Sequence, residues 1–163
     1  MIRKAENKDC RVIATIAIEE WRNTYKNIID KTYLQSLNIE EKTKKYEKEI
    51  EKNMDYLVCE ENGNILGYIK YGAIREEVPP FDSEIYAIYV RKAMQNQEIG
   101  TKLLEAAKEH LRKQGYKRMI TWCLEKNEIG KRFYEAKRGK KITQRSIPIG
   151  NVNYIEVAYG YEL

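Results

Sequence analysis

Cysteine, histidine and long apolar runs are all scarce in this chain, and each shortage closes a class of function. The three cysteines among 163 residues, Cys10, Cys59 and Cys123, are widely spaced and odd in number. That argues against a disulfide framework and against a zinc site, so no metal is expected. Cys59 and Cys123 lie in apolar, strand-like runs, where a thiol reads as buried and inert. His110 is the single histidine. It falls near the edge of a helix's apolar stripe and reads as a half-buried structural residue, which leaves a Ser-His-Asp or Cys-His nucleophile without support. No run approaches the roughly 20 apolar residues that cross a bilayer, so no membrane partner is expected. Met1 to Asp9 hold no apolar signal region, and a cytoplasmic location is the expectation. Both the Gly-x-Gly-x-x-Gly fingerprint and the phosphate-loop Lys-Ser/Thr signature are missing, which disfavours the usual dinucleotide and NTP folds.

What is present is a globular balance of 42% apolar and 34% charged residues, enough for one domain, 1–163, with a real core. The net charge of +5 is mild and comes from Lys and Glu mixed along helices, as in Glu40 to Lys52. A nucleic-acid binder carries a denser basic stripe, so no nucleic-acid partner is expected.

Periodicity and turn chemistry divide the chain into alternating elements. Residues 1–7 can form a strand, and Asp9 can cap a helix from Cys10 to about Tyr25. A short helical piece runs from Asp30 to Leu37. Asn38-Ile-Glu-Glu41 matches a capping box and opens a charged helix to about Lys52. Tyr56–Cys59 and Ile65–Ile74 read as strands joined at Asn62-Gly63. Glu76 to Ser83 is a loop with a Pro-Pro pair. Ile85–Val90 and Met119–Leu124 are apolar enough to be covered on both faces. Between them, a helix from Gly100 to Gln114 buries Leu103, Leu104, Ala107 and Leu111 and ends at Gly115. Asn127 or Glu128 opens a further helix through Phe133-Tyr134. Ile142–Ile149 and Val152–Tyr161 flank Gly150-Asn151 as a terminal hairpin, which could pair with a second subunit as a homodimer. The order gives one mixed α/β sheet layered by helices.

Glu84 to Leu104 is the most informative stretch. A buried strand is followed by a turn rich in amides, and then by an amphipathic helix entered through Ile99-Gly100-Thr101. Such a turn offers backbone N–H groups at a helix N-terminus, where the dipole also favours an anion, so a diphosphate could sit there.

The element order and two motifs resemble the Gcn5-related N-acetyltransferase (GNAT) superfamily over essentially the whole chain. The family's pyrophosphate loop, Gln/Arg-x-x-Gly-x-Gly/Ala, is matched by Gln95-Asn-Gln-Glu98-Ile-Gly100 at its first and last positions, with Glu98 in place of the middle glycine. The second motif is an Asn after the fifth strand and a Phe-Tyr pair on the next helix. Asn127 stands seven residues before Tyr134, about two helical turns, so both can face one cleft. The resemblance implies an α+β fold with a single mixed, mostly antiparallel sheet of about seven strands and helices on both faces. It implies acetyl-coenzyme A as cofactor, held by Ile88, Tyr89, Val90, Gln95, Asn96, Gln97, Glu98, Ile99, Gly100, Thr101, Asn127, Lys131 and Tyr134. Asn127 would bond the pantetheine arm, and Tyr134 would protonate the departing thiolate. A backbone N–H near Ile88 to Val90 would serve the oxyanion. Where the family has Gly-Phe or Gly-Gly after this helix, the chain has Arg138-Gly139-Lys140. The basic group Lys137, Arg138, Lys140, Lys141 and Arg145 reads first as a solvated helix end, then as a holder of the cofactor's adenosine phosphate, and last as a nucleic-acid patch.

An amine must be neutral to attack a thioester, so a proton acceptor is needed. Glu84 is the candidate base because it shares strand parity with Tyr86, Ile88 and Val90. Trp21, Tyr25, Glu84 and Tyr86 are the expected acceptor-side residues. Aromatics with the carboxylates Glu76, Glu77 and Asp82 nearby suit a cationic amine, although Trp21 also reads as core and Glu76-Glu77 as a solvated loop. The leading expectation is N-acetylation of a small-molecule primary amine through a ternary complex. The alternatives are a protein or peptide N-acetyltransferase and a non-catalytic coenzyme A sensor on the same fold.

Overall fold

The computed structural model describes residues 1–95 and 98–163. Its strands are β1 (Ile2–Lys4), β2 (Asp55–Glu61), β3 (Asn64–Ala73), β4 (Ser83–Val90), β5 (Arg118–Leu124), β6 (Lys140–Ile149) and β7 (Val152–Glu162). Its helices are α1 (Cys10–Thr24), α2 (Lys31–Ser36), α3 (Ile39–Glu51), α4 (Ile99–Lys113) and α5 (Glu128–Ala136). The strands form one sheet in the order β1-β2-β3-β4-β5-β7-β6. Every neighbouring pair is antiparallel except β4 and β5. This is the expected mixed, mostly antiparallel sheet.

Two cores sandwich the sheet. On one face, Leu103, Leu104, Ala107 and Leu111 of α4, with Tyr134 of α5, pack on Ile69, Ile85, Met119 and Cys123. On the other, Ile13, Ile16 and Ala17 of α1 and Tyr46 of α3 pack on Tyr56, Val58 and Tyr68. Each helix puts one apolar stripe on the sheet, and burial of that stripe, at about 25 cal/mol per Å², is what holds the layers together. A third cluster joins Ile29 and Leu34 around α2 to Leu124 and Ile149 at the hairpin end of the sheet.

Local signals were kept in most places. Asn38 caps α3 by accepting the Glu41 N–H at 3.0 Å, and Gly115 closes α4 at φ +96°. Asp9 does not cap α1 with its side chain. Its carboxylate instead takes Arg3 Nη1 and the Glu6 N–H, each at 2.8 Å, because a single helical turn precedes α1 and brings Arg3 within reach. His110 is structural: Nδ1 lies 2.7 Å from the Tyr71 hydroxyl. Among the described residues no helix is long and apolar enough to cross a membrane.

Two irregularities shape the centre of the sheet. β4 pairs with β5 only from Ser83↔Met119 to Ile85↔Thr121, and beyond these positions the two parallel strands diverge. On its other edge β4 carries a bulge: Lys70 faces Ala87 and Tyr71 faces Ile85, which leaves Tyr86 without a partner. A bulge reverses the inward-outward alternation. Ile85 therefore shares a core with Ile88 and Val90, and Glu84 does not share their face. The strand parity expected for Glu84 is corrected by that one extra residue.

Candidate active site

The divergence of β4 and β5 opens a cleft of about 570 Å³. Ile88, Tyr89 and Val90 form one wall, with Gln95, Glu98, Ile99, Gly100 and Thr101 at the α4 end. Asn127 and Tyr134 approach from α5, and Tyr25 and Tyr86 from the opposite face of the sheet. These expected residues therefore converge. Three do not line the cleft. Lys131 pairs with Glu128 at 2.8 Å, Trp21 lies behind Tyr89, and Glu84 is held by Arg75. Asn96 and Gln97 lie outside the described residues.

The α4 end suits an anion. The first turn of a helix leaves its N–H groups without intrahelical acceptors, and the dipole is positive there. Glu98 stands at the N-cap in the left-handed region, φ 60° and ψ 10°. That conformation explains why the related motif has glycine here: a side chain in it is strained by about 1–2 kcal/mol. A β-carbon at Gly100 would meet Phe133 at 3.4 Å, an ordinary contact, which fits the motif's tolerance of alanine. Arg138, the other departure, also lies in the left-handed region at φ 71°, where it ends α5 as a glycine commonly would.

On the α5 side, Asn127 Oδ1 accepts the Gly130 N–H at 3.0 Å and caps the helix. Tyr134 is buried, and burial pushes its phenol above its ordinary pKa, with the nearby Cys123 adding to the shift and Thr121 opposing it. It therefore keeps its proton through the neutral range, as an acid at a departing thiolate must. Burial likewise pushes the Cys123 thiol up to about 12, so it stays an un-ionised lining group.

The face expected to take the acceptor is aromatic. Tyr25 meets Trp21 edge-on at 5.0 Å between ring centres, and Trp21 Nε1 donates to the Tyr89 hydroxyl. Tyr86 donates its hydroxyl to the Ala73 carbonyl and carries the Arg75 guanidinium 4.6 Å above its ring. Burial, with Glu84 adding to it, pushes the Tyr86 phenol up to about 12. Glu84 is 2% exposed. It accepts the Arg75 N–H at 3.1 Å, Nη2 at 2.6 Å and Nε at 3.2 Å. Both oxygens are thus committed to Arg75. Two of the other carboxylates expected on this side are engaged as well. Glu76 pairs with Arg145 at 2.6 Å, and Asp82 accepts the Lys117 and Arg118 N–H groups.

Sequence reasoning missed Glu20, Thr24, Thr121, Trp122, Arg132 and the cleft position of Cys123. For Glu20 a signal existed. Ile13, Ile16, Ala17 and Glu20 share one helical face, and a carboxylate in an apolar stripe marks a buried charge with a job. Thr121 and Trp122 became visible only once the strands were seen to part. Of the basic group, Lys137 reaches the cleft mouth, whereas Lys140 and Lys141 belong to β6.

The apolar walls, the helix N-terminus and the volume of the cleft fit an acyl thioester carried on a pantetheine diphosphate. That arrangement is what a coenzyme A-dependent acyltransferase needs. Comparison gives the family: the model described as Acetyltransferase (GNAT) family matches residues 15–139, and the chain belongs to that family. It is similar to the uncharacterized N-acetyltransferase YuaI of Bacillus subtilis, 32% identical over 98% of this chain and 91% of that one. It is also similar to a spermidine N(1)-acetyltransferase of Thermoplasma acidophilum, 26% identical over 86% of this chain and 88% of that one. Among solved structures, the PaiA N-acetyltransferase of Thermoplasma acidophilum in complex with coenzyme A shares the fold, with a TM-score of 0.71, 22% identity and 96% of each chain covered. The chain is thus a GNAT-type N-acetyltransferase with acetyl-coenzyme A as its cofactor.

Proposed function

We propose that this chain acetylates a primary amine of a small molecule by direct attack within a ternary complex. The observation that carries the reading is the split between β4 and β5: one cleft is bounded by the α4 N-terminus, the Tyr134 phenol and an aromatic acceptor wall. Acetyl-coenzyme A supplies an activated acetyl group and a thiolate leaving group.

The chain's own residues divide the remaining work. The first turn of α4 holds the diphosphate with N–H groups and dipole. Asn127 orients the pantetheine arm while its oxygen caps α5. Beyond Ile85 the β4 backbone is no longer paired to β5, and alternate N–H groups turn towards the cleft, where one can stabilise the oxyanion. Tyr134, neutral through burial, donates its proton to sulfur as the C–S bond breaks, and the proton shed by the attacking nitrogen passes through solvent to restore the phenol. Tyr25, Tyr86 and Trp122 seat the acceptor through aromatic contact; Tyr86 and Trp122 already carry Arg75 and Arg145 over their rings, so Tyr25 is the ring of the three that offers a cation–π contact. The name of the spermidine-acetylating relative supports a small cationic amine.

The test is calorimetric titration with acetyl-coenzyme A, followed by thiol-release assays on a panel of polyamines, monoamines and peptides. Micromolar binding and turnover with small amines are expected. Turnover confined to peptides would move the assignment to a protein acetyltransferase. Binding without turnover on any amine would favour a sensor.

A further inference from the structure

Glu20 is a carboxylate on the sheet-facing side of α1, 5% exposed. Its partners are neutral donors rather than a guanidinium or ammonium: the Lys92 N–H at 3.0 Å and Gln95 Nε2 at 2.8 Å. Burying an ionised carboxylate is costly unless donors satisfy it. Burial raises the Glu20 pKa, and those two hydrogen bonds oppose the shift. An apolar side chain would fit this stripe at less cost, so the carboxylate matters for what it binds.

Both donors lie in the turn between β4 and α4. The same Gln95 Nε2 reaches the Val90 carbonyl at 3.2 Å. On the far side, the Arg91 N–H donates to the Leu66 carbonyl and Arg91 Nε to the Ile65 carbonyl, each at 2.8 Å. Residues 91–95 are therefore held from two directions, by β3 and by α1. This segment precedes Ile99, the first residue of α4. The side chain of Gln95, the first residue of the pyrophosphate motif, is spent on this internal clamp.

We propose that Glu20 is a positioning residue for the cofactor: through Lys92 and Gln95 it fixes residues 91–95, the segment that precedes the α4 N-terminus and the N–H groups that meet the diphosphate. This rests on the reading of the cleft as the acetyl-coenzyme A site. A carboxylate repels a diphosphate, so Glu20 acts through the turn and not by contact. Holding the turn in the bound geometry beforehand lowers the ordering cost of binding.

The experiment measures acetyl-coenzyme A affinity by calorimetry, and kcat at saturating cofactor, for the unmodified chain and for Glu20→Ala, Glu20→Gln, Gln95→Ala and the Glu20→Ala/Gln95→Ala double variant. Glu40→Gln, at an exposed residue of α3 that pairs with Arg11, is the control. Glu20→Ala is expected to weaken binding about tenfold, with kcat within about twofold. Glu20→Gln keeps an oxygen for the Lys92 N–H and should lose less. The double variant should lose little more than Glu20→Ala alone, because both single changes break one clamp. Glu40→Gln should bind as the unmodified chain does.

Binding by Glu20→Ala within twofold of the unmodified chain overturns the proposal. So does full multiplication of the two single effects, or a fall in kcat with affinity kept. Should Glu20→Ala fail to fold, Glu20→Gln and Gln95→Ala carry the same test. No binding by the unmodified chain would overturn the cofactor reading and this proposal with it. Binding that every variant leaves unmoved overturns this proposal alone.

Discussion

A β-carbon on Gly130 would lie 2.7 Å from Nδ2 of Asn127 and 2.9 Å from Sγ of Cys123. The glycine is what lets Asn127 fold back over the start of α5 and accept the Gly130 N–H at 3.0 Å. One missing methyl group thus sets both a helix cap and a side chain at the cleft. Gly130→Ala should push the Asn127 side chain out of place and lose about 1 kcal/mol from the cap, partly offset by alanine's helix preference. Cofactor affinity should fall with it. Denaturant unfolding and acetyl-coenzyme A titration read the two effects. A variant that keeps its affinity would remove Asn127 from the pantetheine contact.

Glu98 invites the opposite change. Its left-handed backbone carries strain, and its carboxylate stands at the end of the cleft that is to hold two phosphates. Glu98→Gly should relieve about 1 kcal/mol of strain, partly offset by glycine's greater freedom in the unfolded chain. A net gain of roughly 0.5 kcal/mol is expected. Acetyl-coenzyme A should bind several-fold tighter, and most visibly at low salt, where charge repulsion is least screened. Weaker binding by Glu98→Gly would mean that the carboxylate makes a needed contact.

The individual strands, the five helices and the α4 end of the cleft were legible because each rests on a local pattern, whereas the mostly antiparallel sheet and the places of Asn127 and Tyr134 came from the family resemblance. The apolar spacing of α4 marked its buried face, and Asn62-Gly63 marked the β2–β3 turn. The conformations of Glu98 and Arg138 were half-legible: a missing glycine in a motif points to a left-handed position, and both residues occupy one. What stayed hidden was tertiary. The bulge at Tyr86 exists because β3 and β4 pair as they do, and no property of Ser83-Glu84-Ile85-Tyr86 announces it. Alternation therefore put Glu84 on the wrong face. Its pairing with Arg75, nine residues earlier, depends on the same bend. Trp122 entered the site only through the parting of two strands that are distant in sequence.

The Arg75–Glu84 pair makes a discriminating test of the base. Glu84 is buried and committed, whereas the Arg75 side chain is about half exposed, 55%. Glu84→Gln removes a charge-assisted bond without leaving a bare carboxylate and should cost about 1–2 kcal/mol of stability. The pH profile of acetyl transfer should keep its shape, since both carboxylate oxygens face the guanidinium. Loss of rate concentrated at low pH would restore Glu84 as the base, acting through water past Tyr86.

Tyr134 bears the heaviest chemical claim. Its phenol is buried and held above the ordinary tyrosine value by that burial, which itself is about 10. A raised pKa means the acid form persists through neutral and mildly alkaline pH, so the proton needed by the thiolate is present wherever the amine is neutral. The rate should therefore climb with pH as the acceptor deprotonates, with no falling limb from Tyr134 below about pH 10. Tyr134→Phe keeps the ring against Tyr159, whose centre lies 5.8 Å away, and removes only the hydroxyl. Turnover at saturating substrates should fall about a hundredfold. Cofactor affinity and thermal midpoint should hold close to their original values. Steady-state rates across pH 6–10, paired with calorimetry, separate the outcomes. An unchanged rate would take Tyr134 out of the mechanism and hand the sulfur's proton to solvent, and a matched loss of affinity would make it a packing residue of the cleft.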